Sequence, residues 1–195
     1  MLPTRTQAEE ILKEAELCNP GPWGNHSRVV AHCAEKIAEN CEDMDSEKAY
    51  IVGLLHDIGR KFGGRHMGHV SDGYSYMMKS GYDEAARICL SHSFNNKTTD
   101  DYMGKFDTSD EELLMVQNAL AEMTFDEYDL LIQLCDSLAG PECVLNMEDR
   151  MLDVKRRYGS YPQEKWDKNF AIKTYFEDKM GKDLYLAVEK ETFHI

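Results

Sequence analysis

The sequence contains no apolar run long enough to cross a membrane, and no cysteine pair with C-x-x-C spacing. Its longest uninterrupted apolar run, residues 184–188, falls far short of the roughly 20 residues that a membrane helix needs. The first residues lack the apolar region of a secretion signal, and several of the 6 cysteines occupy apolar helix positions, as reduced cysteines do. These absences predict a soluble, cytoplasmic protein with no membrane partner.

Positive charge is also scarce. The chain of 195 residues has 22 Lys and Arg against 36 Asp and Glu, a net charge of −14. Most of this excess lies in residues 98–153, which hold 15 acidic and 2 basic side chains. Binding along a nucleic-acid backbone needs clustered cations, so a long nucleic acid is not an expected partner.

No segment shows the alternating pattern of a strand, and no internal repeat is found. Apolar residues recur with a period near 3.6, which predicts an all-α protein. We expect a single domain over residues 1–195, a helical bundle of about eight to ten helices. Its motif-bearing core would span about 24–140 and a C-terminal helical extension about 142–195. The sequence does not decide between a monomer and a homo-oligomer.

Individual helix starts are predicted from capping signals. Thr6 with Glu9 and Ser109 with Glu112 have the spacing of capping boxes, and Asn25 is a good N-cap for the second helix. Residues 49–55 are apolar nearly all round, which is typical of a helix at the centre of a bundle. Residues 93–108 lack a pattern and are predicted to form a long surface loop.

Six of the seven histidines lie between His26 and His92. His26, His56 and His92 each fall on the apolar face of a predicted helix, and Asp136 lies in the most apolar of the late helices. Such groups are rarely buried without partners, and one cation can offset the burial cost of several at once. The pattern favours a metal site, while polar groups satisfied within the core remain the alternative.

The dipeptide His56-Asp57 stands at the end of the central helix, two residues before Gly59. Adjacent helical side chains point about 100° apart, so both can reach one ion only beside their edge of the helix. A helix end relaxes that restriction.

Over about residues 24–140 the chain resembles the HD-domain superfamily of metal-dependent phosphohydrolases. The matching residues are His26, the pair His56-Asp57, and Asp136. The resemblance implies a helical fold in which these four residues bind a divalent metal. The cofactor would be one or two transition-metal ions, of Fe, Mn, Co, Ni or Zn, since nitrogen ligands suit these better than Mg.

His69 and His92 match the two additional histidines of the binuclear subgroup, which includes hydrolases of diadenosine polyphosphates. The resemblance then implies two metals bridged by Asp57. His66, three residues before His69, is the rival for its place.

Arg60 and Lys61 follow the motif and resemble a phosphate clamp, which gives them, with Asp57, a predicted catalytic role. The alternative is that both cations only complement the end of a helix.

The expected activity is hydrolysis of a phosphoester or phosphoanhydride in a nucleotide or other small phosphorylated molecule by a metal-activated water. Two alternatives stay open. One is a diiron oxygenase with the same ligands, and the other is a regulatory module that binds a nucleotide without cleaving it.

Overall fold

The structure, a computed structural model, describes residues 1–188. In this range the chain forms ten α-helices, one 3-10 helix and no strand, apart from an isolated bridge between Ala139 and Val144. The prediction of an all-α fold is confirmed. The α-helices are α1 Arg5–Cys18, α2 Trp23–Ala38, α3 Ser46–Leu55, α4 Gly68–Lys79, α5 Asp83–Ser91, α6 Asp110–Glu122, α7 Glu127–Leu138, α8 Met147–Tyr158, α9 Gln163–Met180 and α10 Leu184–Ala187. The 3-10 helix spans Ile58–Phe62.

Helix α3 lies at the centre of the bundle, as its apolar sequence predicts. It packs against α1, α2, α5 and α7, and six of its ten residues are buried. Gly53 makes the contact with α2 possible, because a Cβ at this position would lie 3.0 Å from Cα of Ala31. The C-terminal end of α3, where the motif begins, is therefore enclosed on several sides.

Two of the predicted N-caps are wrong, by two residues for α1 and by three for α2, whose N-cap position is Pro22. The first capping box uses Thr4 and Gln7, not Thr6 and Glu9. Helix α2 begins at Trp23, so Asn25 lies inside its first turn. The box of Ser109 with Glu112 is confirmed at the start of α6.

The segment between α5 and α6 contains turns but no regular helix, as predicted, but it is not confined to the surface, since Phe94, Asn95, Thr99 and Asp101 are buried. Its end packs on the start of α4, where the carboxylate of Asp107 accepts hydrogen bonds from the backbone N–H groups of His66 and Gly68. Arg65 adds hydrogen bonds to Asp107 and to Glu112 on α6. These contacts supply α4 with the N-terminal cap that its own sequence lacks.

The C-terminal helices pack back onto the bundle. Helices α8 and α9 contact α7, and α10 contacts α9 and α2. Met151, Ile172, Phe176 and Leu184 join the largest apolar core cluster. The last residues of the predicted extension, 189–195, lie outside the described part of the chain, and the division into one domain stays a prediction.

None of the helices described within residues 1–188 is both long enough and apolar enough to span a bilayer.

Candidate metal centre

The six predicted ligands come from five separate parts of the bundle. His26 lies in the first turn of α2, His69 at the start of α4, and Asp136 in α7. The other three lie directly after helices, His56 and Asp57 after α3 and His92 after α5.

The side chains form two groups that share Asp57. His26, His56 and Asp57 make up one group, and Asp57, His69 and His92 the other, with the potential ligand atoms of each group within 4.8 Å of one another. His56, Asp57, His69 and His92 are all less than 5 % exposed. Asp136 joins the cluster through His26, because Oδ1 of Asp136 lies 3.0 Å from Nε2 of His26.

Three of the histidines are held by backbone carbonyls. Nδ1 of His56 lies 2.7 Å from O of Gly53, Nδ1 of His92 lies 2.9 Å from O of Cys89, and Nδ1 of His69 contacts O of His66. A carbonyl can only accept, so each Nδ1 carries a proton and each ring turns its Nε2 toward the cluster. This arrangement is common for metal-binding histidines.

The second group brings three electron-pair donors together. Oδ1 of Asp57 lies 3.0 Å from Nε2 of His69 and 3.6 Å from Nε2 of His92, and the two Nε2 atoms are 3.2 Å apart. Ligands that surround a transition metal at about 2.0–2.2 Å lie about 3 Å or slightly more from each other. These three side chains fit a divalent cation, which would replace their mutual repulsion by attraction.

Unsatisfied atoms point to the same conclusion. Nε2 of His56 and Oδ1 of Asp57 are buried and have no hydrogen-bond partner among the residues that the structure describes. Leaving a buried polar group unpaired costs about 1–3 kcal/mol, and more for a charged group. A bound cation would remove this cost for both side chains.

The electrostatics favour the ligating forms. Burial lowers the pKa of His56 and lowers that of His92 to about 3, so both rings are neutral at pH 7. Burial alone would raise the pKa of Asp57, but the charges of Arg60 and the neighbouring histidines outweigh it, and the pKa lies well below its ordinary value. For Asp136, His26 outweighs burial in the same way and lowers the pKa.

The two predicted phosphate-binding cations are placed differently. Arg60 lines the cavity next to the cluster and donates through Nε to Oδ2 of Asp57. Lys61 does not line this cavity, and its ammonium group lies 4.0 Å from the centre of the Tyr76 ring. The structure therefore brings Arg60, and not Lys61, to the site.

The choice between His66 and His69 is made by the backbone. The side chain of His69 reaches the ligand cluster, whereas His66 contributes its carbonyl oxygen to hold His69. Gly59 allows α4 to approach this closely, because a Cβ there would lie 1.9 Å from O of His69 and 2.5 Å from N of Gly73.

The cluster opens into a cavity of about 760 Å³. Part of its wall comes from α8, α9 and the segment between them, and includes Arg150, Arg157, Tyr161 and Lys165. Sequence analysis missed these residues, since nothing in their local spacing distinguishes them from a solvated helix face. The i, i+7 spacing of Arg150 and Arg157 was the one available signal, and it has meaning only once α8 is known to face the cluster.

A family model, HD domain, matches residues 23–140. The chain belongs to the HD domain family. The match begins at the first residue of α2 and ends just after α7, and so contains all six predicted ligands. The resemblance seen in the sequence is confirmed.

The HD domain places this chain in a superfamily of metal-dependent phosphohydrolases, whose members bind divalent metals. Searches of curated proteins and of solved structures returned no match. Helices α8 and α9, which complete the cavity, lie outside the part of the chain that the HD domain covers.

Proposed function

We propose that this HD domain protein hydrolyses a phosphate ester or anhydride of a small molecule, with nucleotides as the favoured class. The observation that carries the proposal is the pair of ligand groups that share Asp57 at the wall of an open cavity. One carboxylate shared between two sets of imidazoles is an arrangement that suits two neighbouring cations.

In this proposal His26, His56, Asp57 and Asp136 hold one divalent ion, and Asp57, His69 and His92 hold a second. Bound ions of this kind supply an activated water at neutral pH and positive charge for the phosphoryl oxygens. The mixed nitrogen and oxygen ligands favour Fe, Mn, Co, Ni or Zn over Mg.

Arg60 has a positioning role. Its hydrogen bond to Oδ2 of Asp57 fixes one carboxylate oxygen and keeps the group ionised, while Oδ1 faces His69 and His92. Fixing the bridging carboxylate in advance means that the chain does not have to reorganise when substrate binds.

Arg150 and Arg157 provide positive charge for the phosphate oxygens that do not contact the metal ions. Both line the cavity from α8, and both lie near Asp153, which is 3.9 Å from Arg150 and 3.0 Å from Arg157. Guanidinium groups bind phosphate oxygens in pairs of parallel hydrogen bonds. A cationic wall inside an acidic protein favours a small anion that can enter the cavity over a long nucleic acid, which the surface repels.

The first test is metal analysis of the full chain purified without chelator, followed by phosphate release from a panel of mononucleotides, dinucleotides and sugar phosphates. We expect about two equivalents of transition metal and release that stops when a chelator removes them. Oxygen consumption by iron-loaded protein without phosphate release would instead identify an oxygenase. Full metal occupancy without either reaction would identify a regulatory binder.

A further inference from the structure

Four buried polar side chains line the cavity beyond the metal ligands. They are Asn95 after α5, Gln133 on α7, and Lys165 and Asn169 on α9, and we call this set the amide wall. Their exposed fractions are 5 %, 2 %, 8 % and 1 %. None of the four belongs to the predicted ligands or to the arginines of α8.

The amide wall is built onto the end of α5, next to His92. Lys165 donates to O of Ser93 at 2.6 Å, and Gln133 donates to O of Ser91 at 3.0 Å. Asn95 donates to Asn169 at 3.0 Å, and Asn169 in turn donates to the hydroxyl of Tyr161. These bonds fix the side chains beside the place where the reacting phosphate would bind.

The hydrogen bonds described here leave part of the wall's capacity unused. Oε1 of Gln133 is buried without a hydrogen-bond partner in the described chain. Lys165 has three N–H donors, one of which reaches Ser93. Buried polar groups normally find partners, so unused donors and acceptors on a cavity wall indicate a ligand that supplies them.

The charge of the wall limits the kind of ligand. Burial lowers the pKa of Lys165, while the nearby carboxylate of Asp101 favours its charged form and balances part of its positive charge. The other three side chains are neutral amides. With one ammonium group beside a carboxylate and three neutral amides, the wall offers little positive charge to a second phosphate group.

The remaining chemistry matches hydroxyl groups. Lys165 offers donors and Gln133 offers an acceptor, and a hydroxyl can satisfy both because it donates and accepts at once. A phosphate or carboxylate would leave Oε1 of Gln133 unpaired, since each of these anions only accepts.

We propose that the amide wall binds the hydroxyl groups of a sugar that is joined to the reacting phosphate. This inference rests on the proposed function and narrows its substrate to nucleotides and sugar phosphates. The sugar would lie against α9, a part of the chain outside the HD domain match.

The test measures binding of non-cleavable probes to the full chain with the metal it retains. The probes are methylphosphonate, which has no sugar, and the methylene-bridged phosphonate analogues of ribose 5-phosphate, glucose 6-phosphate and adenosine 5′-monophosphate. Calorimetry gives the ratio of the affinity for each sugar probe to the affinity for methylphosphonate. We expect a ratio of about 100 or more for at least one sugar probe, the size of one or two hydrogen bonds to charged or buried groups.

Lys165→Met and Asn169→Ala should each lower this ratio by about 10-fold or more. Lys173→Met, on the same helix but paired with Glu177, and Asn118→Ala on the exposed face of α6 are the matched controls and should keep it. If Lys165→Met does not fold, the same affinity ratio is measured for Asn169→Ala and Gln133→Leu, and both should lower it.

Equal affinity for all four probes, or a ratio that the wall variants leave unchanged, would overturn the amide wall as a sugar site. If the protein hydrolyses phosphoesters but binds all four probes with equal affinity, the sugar site is contradicted and the proposed function is not. Sugar-dependent binding that the wall variants abolish, in a protein with no hydrolytic activity, would support the inference and contradict the proposed function alone.

Discussion

Arg60 and Asp57 form an ion pair across one turn of the 3-10 helix, with Nε of the arginine bonded to Oδ2 of the carboxylate. Oδ1 is left facing His69 and His92. One oxygen of Asp57 is thus fixed by the chain's own cation, and the other is available to the ligand groups. This division of the carboxylate is the basis of the first prediction.

Asp57→Asn should remove most of the bound metal and lower phosphate release by about 10²–10³ or more, the scale for loss of a key electrostatic group. The amide keeps the size of the side chain but lacks the negative charge that balances two cations. Metal analysis, phosphate release and circular dichroism on the same preparation check this. Asp167→Asn, at an exposed position of α9, is the control. An Asp57→Asn protein with its metal and near-parental turnover would place the chemistry elsewhere.

His69→Ala and His92→Ala should each lower the metal content from about two ions per chain toward one. Both variants remove an Nε2 ligand from the second group and leave His26 and His56 in place. His66→Ala should retain the full content, because the backbone carbonyl that holds His69 is still present. Equal metal loss in His66→Ala and His69→Ala would contradict the assignment.

Gly59→Ala should destabilise the protein by about 1–3 kcal/mol or more, the usual cost of overpacking. The added Cβ would meet backbone atoms of His69 and Gly73, which cannot move without shifting α4. Since α4 carries His69, metal content should fall as well. Denaturant unfolding measures the stability, and Gly64→Ala is the control because a Cβ there meets nothing within 4 Å. A Gly59→Ala protein as stable as Gly64→Ala would show that this approach of α4 is not required.

Glu112→Gln should lower the free energy of unfolding at pH 7 by at most about 1 kcal/mol, the scale of a partly exposed ion pair. The hydrogen bond from Arg65 lowers the pKa of Glu112 to about 2 from an ordinary value of 4.5. A carboxyl group whose pKa is lower in the folded state than in the unfolded state stabilises the fold fully above its unfolded-state pKa. This contribution is lost as the pH falls through the folded-state pKa.

The difference between Glu112→Gln and the parent should therefore shrink between about pH 4.5 and pH 2. Unfolding curves at several pH values follow it, with Glu111→Gln at an exposed position of the same helix as control. A difference that grows on acidification would assign the effect to another group.

The sequence alone determined the fold class and the direction of most of the ligand side chains. Helical periodicity turns His26, the end of α3 and Asp136 toward the interior, because a side chain's direction on a helix follows from its position, and in the structure His26 and Asp136 are half-buried. The resemblance to the HD domain followed from the same residues. Capping signals located α6 correctly but misplaced the N-cap of α1 by two residues and that of α2 by three, since neighbouring Thr, Asn and Pro residues compete for the same role.

The tertiary structure decided how these faces meet. His69 rather than His66 reaches the ligand cluster because α4 docks on Gly59, and Arg60 rather than Lys61 lines the cavity because the 3-10 helix turns Lys61 toward Tyr76. The amide wall depends on α9 packing against α7, which brings Lys165 and Asn169 to Gln133 from more than 30 residues away along the chain. Local periodicity fixes the direction of a side chain but carries no record of the partner it will contact, so contacts between distant helices are set only when the core packs.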